Sequence, residues 1–192
     1  MLVTFTLMLG MSAVAKPMIL TLVGEQWLPC IPFLQIICFQ MMLYPLHSLN
    51  LNMLQVQGRS DLFLKLEIIK KIIGIVPLLL GIFVNIYWML GDSVVTGFIA
   101  YYLNAYYSGP FLNYSIKEQV KDILPSFGVA VAMAVPVFAM SFIPLNSFIL
   151  LPSQIAVGAV ITISICEVTK LPEYLEITGI AIPIINKVIK RK

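Results

Sequence analysis

The chain has 192 residues, of which 60% are apolar and 11% are charged, and its formal net charge is +3. Ordinary soluble domains carry about 25% charged residues, so this chain lacks the polar side chains needed to cover a soluble core. The composition predicts an all-α integral membrane protein. Nucleic-acid binding is not indicated, because the basic residues lie between apolar runs rather than on one face with exposed aromatic residues.

Six apolar stretches are long enough to cross the hydrocarbon core as helices, which takes about 20 residues within a range of about 17 to 25. They are 1–23, 30–53, 72–90, 93–113, 126–143 and 147–166. We expect one six-helix transmembrane bundle over 1–166, followed by a cytoplasmic basic tail over 167–192. Short turns are expected at 25–29, 91–92 and 144–146.

The distribution of basic residues predicts the orientation of these helices. Lys and Arg follow the second, fourth and sixth stretches, whereas the short turns contain none. Because cytoplasmic loops collect basic residues, both termini are expected in the cytoplasm. Trp27 and Trp88 lie beside turns on the opposite side, which fits the preference of amphipathic aromatic rings for the headgroup level.

Two segments are expected on the membrane surface rather than within the bilayer. Residues 115–124 mix four charged residues with Ile116, Val120 and Ile123, a pattern suited to a helix on the cytoplasmic face. The tail over 171–192 ends in the basic run 187–192, which either rests on anionic lipid or only solubilises the end of the chain. Pro183 argues against one continuous helix in this tail.

Each apolar stretch has a proline within it or near its end, at positions 17, 45, 77, 110, 136 and 152. A proline inside a helix removes a backbone hydrogen bond and permits a bend. Bending during transport would use these positions, although proline is also generally commoner in membrane helices than in soluble ones.

The second stretch is the richest in polar residues. At about 100° per residue, Gln40, Tyr44 and His47 fall within about 60° of one another, and Asn50 lies about 60° further round. Polar groups in lipid are costly unless they face protein or water. The stripe therefore predicts either a hydrophilic cavity or hydrogen bonds between helices.

Two further residues are candidates for a substrate cavity. Lys16, the only charged residue clearly inside an expected span, either meets a phosphate or an acidic sugar or extends its side chain to the interface. Asn104 and its neighbouring tyrosines offer a surface for sugar rings or for helix packing. The complete set of cavity candidates is Lys16, Gln40, His47, Asn50 and Asn104.

No catalytic or cofactor chemistry is indicated. His47 is the sole histidine, no acidic residue lies within an expected span, and no nucleophile has a visible base, so we expect no enzyme. Cys30, Cys38 and Cys166 lie in apolar sequence without the close pairs of a metal or redox site. We therefore expect no metal and no cofactor.

Three neighbouring segments of the sequence resemble one protein family. They read GEQWLPCIPFLQIIC at 24–38, YPLHSLNLN at 44–52 and QGRSDLFLKLEIIKK at 57–71. They resemble the Wzx-type polysaccharide flippases, especially the colanic-acid and teichuronic-acid exporter branch of the multidrug/oligosaccharidyl-lipid/polysaccharide (MOP) exporter superfamily. The resemblance implies a MATE-like transporter with about fourteen helices in two bundles around a central cavity. In that pattern, this chain resembles the last six helices.

The implied activity is translocation of an undecaprenyl-pyrophosphate-linked oligosaccharide across the bacterial cytoplasmic (inner) membrane, for exopolysaccharide, O-antigen or other lipopolysaccharide biosynthesis. The implied partners are this lipid-linked oligosaccharide, membrane lipid, a missing N-terminal helical bundle, and a polysaccharide polymerase and glycosyltransferases. Gly58 and Arg59 match the family's cytoplasmic loop after the second helix, where a structural turn or a gating contact is expected.

A truncated copy of such a flippase is expected, because the chain resembles only the last six helices of the family. The start at Met1, which opens directly into apolar sequence, favours the alternative of a non-transporting fragment. One alternative is a cation-coupled multidrug exporter of the same superfamily. The absence of an acidic residue within the expected spans counts against it, since ion coupling usually needs a carboxylate in the membrane. The other alternative is a non-transporting membrane fragment.

Overall fold

The computed structural model describes the backbone of residues 1–189, with side chains through residue 180 and at Pro183. This part of the chain forms α-helices and short 3-10 segments at Glu25–Cys30 and Met140–Phe142, without any strand. The α-helices are α1 (Leu2–Ala13), α2 (Ala15–Leu22), α3 (Ile31–Met41), α4 (Tyr44–Val56), α5 (Ser60–Ile73), α6 (Ile75–Phe83), α7 (Ile86–Leu112), α8 (Ile116–Ala139), α9 (Ser147–Thr169) and α10 (Pro172–Ile189). The expected all-helical architecture is confirmed over these residues.

Three of the apolar stretches are broken shortly before a proline. The breaks fall at Val14, at 42–43 and at Gly74, two or three residues before Pro17, Pro45 and Pro77. Proline lacks an N–H, and its ring clashes with the carbonyl group four residues earlier, so a helix tends to break about one turn upstream. The break between α1 and α2 bends the chain by 69°.

Three helical segments are long and apolar enough to cross a membrane, namely Glu25–Val56, Ile116–Phe142 and Ser147–Thr169. The bent pair of α1 and α2 makes a fourth if it counts as one span. These apolar helices are compatible with a multi-pass membrane protein. The six spans expected from the sequence are thus supported only in part.

The turn expected at 91–92 lies elsewhere in the structure. Gly91 and Asp92 are helical, and the turn is at 84–85, immediately before α7. Asn85 is the N-cap of α7, because its side-chain oxygen accepts a hydrogen bond from the backbone N–H of Trp88 at 3.1 Å. The stretches expected at 72–90 and 93–113 are therefore replaced by 60–83, which is α5 with α6, and by 86–112, which is α7.

The prediction of a separate surface helix over 115–124 is also wrong, because these residues begin the long helix α8. Ser115 Oγ accepts a hydrogen bond from the N–H of Glu118 at 3.3 Å, and the Glu118 carboxylate accepts one from the N–H of Ser115 at 2.7 Å. This capping box satisfies two backbone donors at the start of the helix. Continuation of the helix through Pro125 joins the charged segment to the apolar one.

The tail forms a single helix, α10, whose backbone continues through Pro183. The expectation that Pro183 would interrupt a helix there is therefore wrong. The basic run 187–192, expected at a lipid surface or as a solubilising end, lies outside the residues whose side chains are described.

Contacts between side chains define two ends of the bundle. At one end, which we call the Arg59 end, the Arg59 guanidinium lies 5.0 Å from the centroid of the Phe111 ring. At the other end, which we call the Lys16 end, Phe33 stacks on Tyr87 with ring centroids 4.7 Å apart. Trp27 and Trp88 are close in sequence to this stacked pair, so both tryptophans belong to the Lys16 end.

Candidate functional site

Polar side chains of α4, α7 and α8 meet towards the Arg59 end. Tyr101, Asn104 and Ser108 are spaced by three and four residues on α7, which places them on one face of that helix. His47 and Asn50 have the same relationship on α4. We call the complete set the amide network, and it consists of His47, Asn50, Tyr101, Asn104, Ser108 and Gln119.

Asn50 and Gln119 form the centre of the amide network. Asn50 Nδ2 donates a hydrogen bond to Gln119 Oε1 at 3.1 Å, and Asn50 Oδ1 accepts one from Ser108 Oγ at 3.1 Å. Gln119 Oε1 also accepts from the Tyr101 hydroxyl at 3.3 Å. Asn50 and Gln119 are each only 1% exposed. Because a buried polar group without a partner costs about 1–3 kcal/mol, these bonds stabilise the association of the three helices.

His47 and Asn104 extend the network along α4 and α7. Asn104 Nδ2 lies 3.4 Å from His47 Nδ1, and the His47 ring meets the edge of the Tyr101 ring at a centroid distance of 5.9 Å. Asn104 is fully buried, and its Oδ1 has no hydrogen-bond partner among the described residues. This oxygen is therefore a free acceptor beside His47.

Three cations lie in the turn before α5 and on that helix, and two of them contact aromatic residues of α7. Arg59 lies over Phe111, and Lys65 Nζ lies 5.9 Å from the centroid of the Tyr107 ring. Lys70 lies further along α5 and pairs with Glu67 on the same helix. We call Arg59, Lys65 and Lys70 the cation row. Its members follow one another along the chain from the Arg59 end, and the first two contact aromatic rings of α7.

Gly58 and Arg59 form the turn between α4 and α5. Gly58 has a φ of +71°, a left-handed conformation that glycine adopts without steric cost. The N–H of Gly58 donates to the carbonyl of Gln55 at 2.9 Å, and the N–H of Arg59 donates to that of Leu54 at 2.9 Å. These two bonds are those of a Schellman motif, which ends α4 and positions Arg59 over α7.

The structure brings together only part of the set of cavity candidates. His47, Asn50 and Asn104 belong to the amide network, where they bond to neighbouring helices. Gln40 is half-buried on α3 and makes no hydrogen bond in the described part of the chain. Lys16 is exposed at the opposite end. Lining of a substrate cavity by these residues stays a prediction.

Sequence reasoning missed Gln119, Ser108 and the lysines of the cation row, and it treated Tyr101 only as one of the tyrosines near Asn104. Gln119 was assigned to a surface helix, yet it lies three residues after Ile116 and four before Ile123, on their apolar face. That position was the available signal for a buried polar contact. Lys65 and Lys70 were assigned to a loop because the turn was expected too late in the chain.

The connection between α7 and α8 contains a tyrosine that offers a test of this geometry. The Tyr114 hydroxyl donates to Asp122 Oδ2 at 2.5 Å, and burial together with this carboxylate raises the pKa of Tyr114 to about 12. The neutral hydroxyl therefore stabilises the folded state below about pH 10, the ordinary tyrosine pKa, and that contribution is lost as the pH rises towards 12.

In an absorbance titration of tyrosinate, Tyr114→Phe should remove the component that ionises last. Asp122→Asn should lower the midpoint of that component towards the ordinary value, because the carboxylate that disfavours the tyrosinate is gone. A Tyr114→Phe titration that matches the wild-type curve above pH 10 would contradict the Tyr114–Asp122 bond.

Three helical segments that are long and apolar enough to cross a membrane, or four with the bent pair, are compatible with a multi-pass helical membrane protein. Comparison of the chain with known protein families, with curated proteins and with solved structures gave no match.

Proposed function

We propose that this chain forms one helical bundle of a transporter that moves an undecaprenyl-pyrophosphate-linked oligosaccharide from the cytoplasmic to the outer leaflet of the bacterial cytoplasmic membrane. The observation that carries the proposal is the cation row beside the amide network. Charged side chains inside membrane helices are costly and usually mark a substrate or ion path. The resemblance at 24–71 to Wzx-type flippases agrees with an anionic lipid-linked substrate.

The proposed topology has six spans with both termini in the cytoplasm. Its third and fourth spans are 60–83 and 86–112, which at 1.5 Å per residue are about 36 and 40 Å long, enough for a hydrocarbon core of about 30 Å. The Arg59 end faces the cytoplasm, because Arg59, Lys117 and Lys170 lie in or next to the connections at that end. The Lys16 end then faces outward, with the two tryptophans.

The proposed path for the substrate follows the exposed face of α7 next to the cation row. Tyr102 and Tyr106 are 55% and 58% exposed, and their rings stack with centroids 6.2 Å apart. Aromatic faces of this kind pack well against sugar rings, while Lys65 and Lys70 supply charge for the pyrophosphate. Because these tyrosines face outward, a second helical bundle is needed to close the path.

The direct test is deletion of the gene that encodes this protein in its host, followed by complementation with the same gene. Loss of the gene should lower the amount of surface polysaccharide, because the polymerase no longer receives its substrate. Lipid-linked oligosaccharide made by the glycosyltransferases should accumulate on the cytoplasmic side. Complementation should restore both quantities. Unchanged surface polysaccharide and unchanged precursor in the deletion strain would contradict the proposal.

A cation-coupled multidrug exporter remains the second candidate, and the helix boundaries favour it more than the sequence did. Glu67 lies within α5, and Asp92 lies within α7, where its carboxylate accepts a hydrogen bond from Thr96 Oγ1 at 3.3 Å. Carboxylates in membrane helices suit proton or sodium coupling. Drug sensitivity of the same deletion strain, with surface polysaccharide unchanged, would support this candidate instead.

A further inference from the structure

We propose that the Lys16 end holds a binding site for one anionic phospholipid, independent of the transported substrate. Its hydrocarbon part is an apolar groove between α1–α2 and α9, with a volume of about 540 Å³. Leu7 and Met11 form one wall, Ile155 and Ala159 form the other, and Met133 lies at the base. None of the residues that line this groove belongs to the amide network or to the cation row.

The groove exists because glycine occupies a position of close helix contact. A Cβ atom on Gly158 would lie 3.3 Å from Met133 Sδ and 3.3 Å from Val137 Cγ2, so α9 approaches α8 closely at this point. The 69° bend between α1 and α2 turns α2 away from the axis of α1. The groove is the space that remains on the outside of the bundle.

The dimensions and exposure of the groove fit one acyl chain. Its lining on α9 runs from Leu151 to Ile163, which is about 18 Å at 1.5 Å per residue. One leaflet contributes about half of the 30 Å hydrocarbon core, so this length matches a chain from a single leaflet. Leu7 and Ile155 are 56% and 58% exposed, so the groove opens to the surroundings of the bundle, which in a membrane are lipid.

A cationic pocket of about 380 Å³ adjoins the groove, lined by Lys16, Ser141 and Ser147 among others. Pro17 and Leu150 line this pocket, whereas Met18 and Leu151, the next residues along the chain, line the groove. The two cavities are separated by Gln154, which lines the groove and donates from Nε2 to Ser141 Oγ at 2.9 Å.

Lys16 gives the pocket its selectivity for charge. No carboxylate in the described part of the chain lies within ion-pairing distance of its ammonium group. A phosphate head group with net negative charge complements this free cation, and the serine hydroxyl groups offer it hydrogen bonds. A zwitterionic head group carries its own positive charge, so its phosphate gains less from an interaction with Lys16. The two adjoining cavities together therefore fit an anionic phospholipid of the outer leaflet.

The test measures retained lipid on the purified, delipidated full chain by native mass spectrometry. Dioleoyl phosphatidylglycerol should be retained about tenfold better than dioleoyl phosphatidylcholine, a difference worth about 1.4 kcal/mol. Ala159→Phe fills the groove and should lower this retention about tenfold. Ala156→Phe is the matched control, because Ala156 is an exposed alanine of the same helix outside the groove lining. Lys16→Gln should abolish the preference between the two lipids.

Equal retention of the two lipids by the wild-type protein would overturn the proposal, as would equal losses in Ala159→Phe and Ala156→Phe. Displacement of phosphatidylglycerol by inorganic phosphate alone would show that the groove does not bind the acyl chain of the lipid, and it would contradict the proposal. Stronger binding of a polyprenyl phosphate at the same site would assign it to the transported substrate instead. Leu7→Trp fills the groove from the opposite wall and replaces Ala159→Phe if that variant does not fold.

Discussion

Replacement of Gln119 by leucine is expected to destabilise the folded bundle by about 2 kcal/mol. The Gln119 side chain bonds to Asn50 Nδ2, to the Tyr101 hydroxyl and to the backbone oxygen of Tyr114. Hydrogen bonds between membrane helices average about 0.6 kcal/mol each, so the two bonds to α4 and α7 sum to about 1.2 kcal/mol, and the polar groups left unpaired account for the rest. Asn50 and Tyr101 would also remain buried with an unpaired donor.

The measurement is reversible unfolding of the purified protein by dodecyl sulfate in mixed micelles. Gln55→Leu is the matched control, because Gln55 is exposed on α4 and makes no side-chain hydrogen bond among the described residues. It should change the free energy of unfolding by less than about 0.5 kcal/mol. Equal stability of Gln119→Leu and the wild-type protein would show that the amide network does not hold α4, α7 and α8 together.

Replacement of Lys70 by glutamine is expected to slow translocation of the lipid-linked oligosaccharide about tenfold or more. The Lys70 side chain is only 17% exposed and pairs with Glu67 on the same helix. A charge in such a partly dry environment attracts an anionic group several times more strongly than the same charge in water. Loss of about 1.4 kcal/mol of transition-state stabilisation corresponds to a tenfold lower rate.

Three companion variants separate transport from stability. Lys71→Gln removes a neighbouring lysine that is exposed, and it should leave the rate within about twofold of the wild-type value. Lys70→Arg keeps the cation and should retain most of the activity. Because Lys70→Gln leaves Glu67 without its partner, the double variant Glu67→Gln/Lys70→Gln removes both charges and should restore stability but not transport.

The readout is the rate at which labelled lipid-linked oligosaccharide becomes accessible on the far side of the membrane, at equal amounts of inserted protein. If Lys70→Gln and Lys71→Gln transport at the same rate, the cation row does not line the path. The exposed rings of Tyr102 and Tyr106 would then have to bind the substrate without the cation row.

Much of this architecture follows from local sequence signals. Apolar length predicts the long helices, and the prolines at 17, 45 and 77 predict where three of them break. The turn before α7 shows the limit of such signals. Gly91 and Asp92 are typical turn residues, but Asn85 caps the helix six residues before Gly91, and both residues lie within α7.

The candidate site is less predictable, because its members come from distant parts of the chain. The three-residue spacing of His47 and Asn50 shows that they share a face, yet it contains no information about their partners. Asn50 and Gln119 are separated by 69 residues, and their contact depends on how α4, α7 and α8 pack. The sequence also makes Lys16 a candidate for the same cavity, but the fold places it at the opposite end of the bundle.

The most direct test of the six-span topology is labelling of single cysteines with a membrane-impermeant maleimide in intact cells, after replacement of the native cysteines Cys30, Cys38 and Cys166. Cysteines at Val84 and Leu145, which are 55% and 48% exposed, should react from outside. Cysteines at Ser60 and Lys117 should react only after the membrane is permeabilised. Labelling of Ser60→Cys and Lys117→Cys from opposite sides, or protection of Val84→Cys in intact cells, would contradict the proposed topology and with it the path along α5 and α7.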